Sequence, residues 1–139
     1  MKHVIPSRFL KLALIADALA AAALAAAHLV VADWIAGWMQ LPQALLLGTG
    51  AFLVGWTALL LWLAPTPRAP AALVTLVIEG NLLWAAGAIG LLVSGVLAAN
   101  AWGNAYLVLN AVSVLAFAAL EWRGLRASAA APQMRAARA

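Results

Sequence analysis

Four acidic residues and two histidines are the ionisable side chains with which this otherwise apolar, 139-residue chain could do chemistry, apart from its eight Lys and Arg and one Tyr. The densest polar group is the stretch Thr75-Leu-Val-Ile-Glu-Gly-Asn-Leu-Leu-Trp84, which sets a carboxylate, a carboxamide and an indole inside a long apolar run. A second carboxylate, Asp17, lies inside the first such run. An ionised carboxylate in hydrocarbon is costly unless it is paired, hydrated or protonated, so acids in such places mark sites. Counted from the starts of their apolar runs, at about 9 and 71, Asp17 and Glu79 each lie about eight residues in, or about 12 Å deep. The matched depth leads us to expect that both line one cavity, open toward the basic side of the bundle, with Asn110, Ser113, Trp56 and Trp84 as neutral walls. Two acids at such a site would exchange protons against a cationic or amphipathic small molecule.

Helical phase refines this picture. Glu79, Leu83, Gly87, Gly90 and Ser94 share one face, on which small residues such as Gly87 and Gly90 let another helix approach closely. Asp17, Ala21, Leu24 and His28 share a face of the first run. Gly48, Phe52, Gly55, Leu59 and Trp62 form a stripe on the second, and Gly103, Tyr106, Asn110, Ser113, Phe117 and Glu121 on the fourth. Asn81 lies about 200° around the helix from Glu79, so the two cannot address the same neighbour. It either bonds another helix of the bundle or, with Trp84, Ala85 and Ala88, faces a second subunit. His28 reads as a satisfied histidine near one interface, and Glu121, beside Trp122 and Arg123, as an interfacial residue. Asp33 belongs to a solvated turn.

Other chemistries find no support. The two histidines lie at opposite ends of the first run, which excludes paired haem ligation within one subunit and leaves no metal set. With no cysteine there is no thiolate site. No phosphate loop, catalytic triad order or HExxH pattern occurs, so neither a cofactor nor an enzymatic activity is expected. A membrane-embedded lipid enzyme using the two acids is the minor alternative.

The elements that must position these residues are long helices. The chain is 68% hydrophobic and 9% charged, where a soluble domain carries about 25% charged residues. Four apolar runs, over about 9–32, 43–64, 71–97 and 105–122, predict an all-α, four-helix transmembrane bundle occupying 1–123, followed by a basic, disordered tail over 124–139. A cleaved leader is the rival reading of the first run, but the run exceeds the usual leader core of about 7–15 residues and contains Asp17. Pro65-Thr-Pro-Arg-Ala-Pro70 breaks the helix between the second and third runs. Trp34, Trp38, Trp62, Trp102 and Tyr106 suit membrane–water interfaces.

All eight Lys and Arg residues fall on one side of this arrangement, which by the positive-inside rule places both termini in the cytoplasm and the chain in a bacterial inner membrane. Laying Leu14-Ile-Ala-Asp17 on Leu76-Val-Ile-Glu79, and Leu61-Trp62 on Glu121-Trp122, suggests a tandem repeat of two-helix hairpins. Two functions follow as expectations. One is a proton-linked transporter or binder of a cationic or amphipathic molecule. The other is a non-catalytic accessory or assembly subunit of a larger membrane complex, or a homo-oligomer. The lipid bilayer is the expected partner in either case, and no nucleic acid is.

Overall fold

The computed structural model describes residues 3–130. Four helices are long and apolar enough to cross a membrane: α1 (Arg8–Val30), α3 (Gln43–Leu63), α4 (Ala71–Ser94) and α5 (Ala101–Arg126). A short helix, α2 (Ala32–Met39), fills the first connection, where a turn was expected. It ends on Gln40 in the left-handed conformation, just ahead of Pro42. At the opposite end three very short strands, β1 (His3–Ile5), β2 (Ala69–Pro70) and β3 (Ala129–Ala130), pair antiparallel in the order β2-β1-β3. The fourth long helix thus continues through Arg123 to Arg126, and the start of the expected tail is ordered as β3. The rest of that tail lies outside the described residues.

The long helices form two pairs. α1 packs along α3 and α4 along α5, and α1 also meets α5, whereas α3 and α4 scarcely approach each other. Glycines set two of the close contacts. A Cβ on Gly124 would come within 2.7 Å of the Leu10 Cα, and one on Gly50 within 2.9 Å of the His28 Cβ. The α1–α5 contact is locked by two serines. Ser7 caps α1 by accepting from Leu10 N (3.1 Å) and donates to the Gly124 carbonyl (3.0 Å). Ser128 accepts from Ser7 N (3.0 Å) and donates to the same carbonyl (2.8 Å), which satisfies end groups of both helices.

The basic end is sealed. Leu10, Leu14, Leu60, Leu63, Val74 and Val77 are fully buried there in one cluster with Ala69 of β2. At the other end α2 lays Ala32 and Ile35 over Leu41 and Leu46. Asn100 fastens α2 to the start of α5, with Oδ1 accepting from Gly103 N (3.0 Å) and Nδ2 donating to the Trp38 carbonyl (2.7 Å). Trp34, Trp38 and Trp102 stack successively on this surface.

These contacts make a direct comparison possible. Gly124→Val should destabilise the fold by about 2 kcal/mol, since the neighbour in its way is backbone. Gly55→Ala, where nothing lies within 4 Å, should leave stability unchanged. Thermal or denaturant melts in detergent, followed by tryptophan fluorescence, distinguish the two.

Candidate functional site

Helical phase selects what α4 turns inward. Val74, Val77, Ile78, Asn81, Ala85 and Ala88 are its buried residues, at the i, i+3, i+4, i+7 spacing of one stripe. The stripe carries Asn81 into the bundle and leaves Glu79, about 200° away, exposed. The same logic on α1 buries Leu10, Leu14, Asp17, Ala21 and His28, and on α5 it buries Gly103, Leu107, Ala111, Ala118 and Glu121.

The acid that meets Asp17 is therefore Glu121. Glu79, expected opposite Asp17, is on the outer face of α4. Gly90, expected in the packed interior with it, is also exposed, and Gly87 is exposed at the wall of the cavity described below. Asn81 donates one amide hydrogen to Asp17 Oδ2 (2.9 Å) and the other to Glu121 Oε2 (3.1 Å), so its two N–H groups serve one acid each. The three side chains are all buried, at 4%, 3% and 0% exposure. The Asp17 carboxyl also lies beside Glu121 itself and the Trp56 indole. Glu121 Oε1 has no hydrogen-bond partner among the described residues. No lysine or arginine among them pairs with either acid. Two full negative charges this close in a dry interior repel strongly, and a single proton held between the carboxyls removes the repulsion and supplies the donor that the unpaired oxygen lacks.

Glu121 was read as interfacial from its neighbours Trp122 and Arg123. Those two are exposed, but Glu121 sits more than a turn inside the end of α5 and points the opposite way. The available signal was its four-residue step from Phe117 along the stripe that begins at Gly103.

Above this cluster, away from the basic end, lies a cavity of about 860 Å³ between the two helix pairs. Asp17 and Asn81 line its lower end, and the sealed leucine cluster lies beneath them. The cavity is thus closed toward the basic side, opposite to the expectation. Its walls are mostly alanine, leucine and aromatic side chains, with Asn110, Ser113, Trp56 and Trp84 among them as anticipated. Phe52 stacks between Trp56 (5.8 Å) and Trp84 (5.3 Å), which makes a continuous aromatic wall. The Trp56 ring lies against Gly80, where any larger residue would displace it. Trp84 Nε1 donates to Asn110 Oδ1 (2.8 Å), fixing both side chains. The far end holds His28. The Thr49 hydroxyl donates to the Leu46 carbonyl (3.0 Å), so toward His28 its oxygen accepts from Nδ1 (2.8 Å). Nε2 is then free to accept from the Tyr106 hydroxyl (2.7 Å), which defines a neutral imidazole protonated on Nδ1.

Both ends of the cavity are covered, and at the side where the α3 and α4 backbones stand apart the Phe52, Trp56 and Trp84 rings span the gap. Its rim there includes Phe52 and Leu83, both more than half exposed. Asp33 is outside the cavity, hydrogen-bonded to the Gln43 side chain at the surface. No family model matches the chain, and no curated protein or solved structure matches it.

Replacing the shared donor should be more damaging than replacing either acid. Asn81→Leu leaves two buried carboxyls without their common amide and should cost about 2 kcal/mol or more. The loss should grow as pH rises and the carboxyls ionise. Adding Glu121→Gln to Asn81→Leu should recover part of it, because one potential charge is gone. Tyr106→Phe, which removes a single neutral hydrogen bond, should cost about 1 kcal/mol. Melting curves across pH for the single and double variants give the coupling.

Proposed function

We propose that this protein binds a lipophilic cation in the cleft between its two helix pairs and moves it across the membrane in exchange for a proton. The observation that carries the reading is a mostly apolar, partly aromatic cavity whose inner end is two buried carboxyls sharing one amide. An amphipathic molecule entering from the bilayer would lay its apolar part along the alanine and leucine walls. Its cationic head would rest near the Trp56, Phe52 and Trp84 faces, where a ring quadrupole attracts a desolvated cation. The positive charge replaces the shared proton and lies beside two ionised carboxylates, so binding and deprotonation are two sides of one equilibrium.

The placement of every Lys and Arg on one side of the bundle supports cytoplasmic termini and an inner-membrane location. The sealed basic end then makes this the form closed to the cytoplasm. The pairing of α1 with α3 and of α4 with α5 supports a mechanism in which one hairpin rocks against the other. The motifs suggested as repeat equivalents differ in setting, however: Asp17 is buried and Glu79 exposed. The second reading, an accessory subunit of a larger membrane complex, is favoured by the uncovered Glu79 carboxylate.

The test is a binding titration of purified protein with dodecyltrimethylammonium, below its micellar concentration, followed by quenching of tryptophan fluorescence. Dodecyl sulfate serves as the anionic control of equal tail length. The cation should bind and the anion should not, with affinity for the cation rising about tenfold per pH unit while the shared proton is being displaced. Asp17→Asn should weaken cation binding by about a hundredfold. Equal binding of the two detergents, or no effect of Asp17→Asn, would overturn the reading.

A further inference from the structure

A second feature lies on the outward face of α4, beside the rim of the cleft. Ala72, Thr75, Glu79, Leu83, Ala86 and Gly90 are all exposed, and their three- and four-residue steps place them on one outward seam of the helix. Glu79 is the only ionisable group on it. Its carboxyl has no hydrogen bond or ion pair among the described residues, and it stands eight residues into α4, about 12 Å from the helix start. The short glutamate side chain cannot reach the interface from there, so in a bilayer of lipid alone the carboxylate would sit in hydrocarbon. The flanking surface is low. A Cβ on Gly90, or on the neighbouring Gly87, would meet nothing within 4 Å, so a second helix can come close to the α4 backbone there.

Charge decides the occupant. The described basic residues of this chain, Arg8, Lys11, Arg68, Arg123 and Arg126, all lie in the end turns or connections at the basic end. None is at the depth of Glu79. Two copies joined across this seam would set carboxylate against carboxylate. We propose that the outward face of α4 docks a membrane-spanning helix of a different protein, one that carries a lysine or arginine at the depth of Glu79. An ion pair formed there replaces contact with lipid, and the small residues of the seam bring the two backbones close enough to form it. This surface meets the cleft only at Leu83 and the neighbouring Gly87, and the ion pair at Glu79, outside the cavity lining, does not depend on what the cleft binds.

The test uses the full chain in phosphatidylcholine vesicles with a synthetic leucine–alanine helix of about 24 residues carrying one lysine about eight residues from its end. The control peptide has leucine in place of that lysine. Energy transfer between labels on chain and peptide reports association. The lysine peptide should associate at least about tenfold more tightly than the leucine peptide, and Glu79→Gln should abolish the difference. Glu79→Lys should transfer the preference to a peptide with glutamate at the same position. Because Glu79 makes no hydrogen bond or ion pair among the described residues, the melting curve of Glu79→Gln should match that of the unaltered chain, and a match shows that lost association is not lost folding. Equal association of the two peptides, or a lysine preference that survives Glu79→Gln, would overturn the proposal. So would energy transfer between copies of the chain that Glu79→Gln abolishes, which would identify a second copy as the occupant.

Discussion

One carboxamide with two hydrogens to give holds this bundle in register. Asn81 reaches Asp17 on α1 and Glu121 on α5 from α4, and each acid takes one of its N–H groups. In water such bonds would be exchanged for bonds to solvent. In a dry interior the alternative is an unpaired polar group, so the arrangement specifies which helices meet and at what height. α1 and α4 otherwise meet through the leucine cluster beneath, and the amide adds the polar tie between the first helix pair and the second at this level. The leucine cluster below and the serine clasp between Ser7, Gly124 and Ser128 close the basic end around it.

The four long helices were legible in the sequence because hydrocarbon demands long, uninterrupted apolar runs, and their bounds came out within a few residues. Rotation about the helix axis was harder to read. Asp17 and Glu79 match in depth, but depth says nothing about facing, and a helix with two polar residues 200° apart can turn only one inward. Val74, Val77, Ile78, Ala85 and Ala88 fall on the side of Asn81, so the larger apolar side chains of the first two turns outweighed the glycines on the side of Glu79. Giving weight to the charge rather than to that stripe placed the wrong residue inside. On α5 the stripe from Gly103 to Glu121 was readable throughout, and its last member was discounted only for its neighbours. The helix α2 and the two- and three-residue strands carry too few residues for any periodicity to show. They exist because the chain ends and connections are held together by the long helices.

The two ionisable features of the membrane-spanning region thus have different physical solutions. Inside, two acids without a cation share an amide, next to a cavity with mostly apolar walls. Outside, Glu79 has no internal solution, and its surroundings are small enough for another helix to provide one. A ligand site and a docking face can coexist on one small bundle because Asn81 and Glu79 face about 200° apart on α4, although the two surfaces meet at Leu83. Asn81 and Glu79, two residues apart in sequence, thus lie in different surroundings, one buried and one exposed.

The central claim is the proton shared between Asp17 and Glu121, and infrared spectroscopy reads it directly. The carbonyl stretch of a protonated carboxylic acid should be recorded at neutral pH in an ester-free detergent, in Glu79→Gln protein so that the outer acid does not contribute. A protonated-acid band is expected, and it should shift on adding either Glu121→Gln or Asp17→Asn, since each removes one of the two carboxyls that share the proton. The absence of such a band, or a band unchanged by both substitutions, would contradict the sharing.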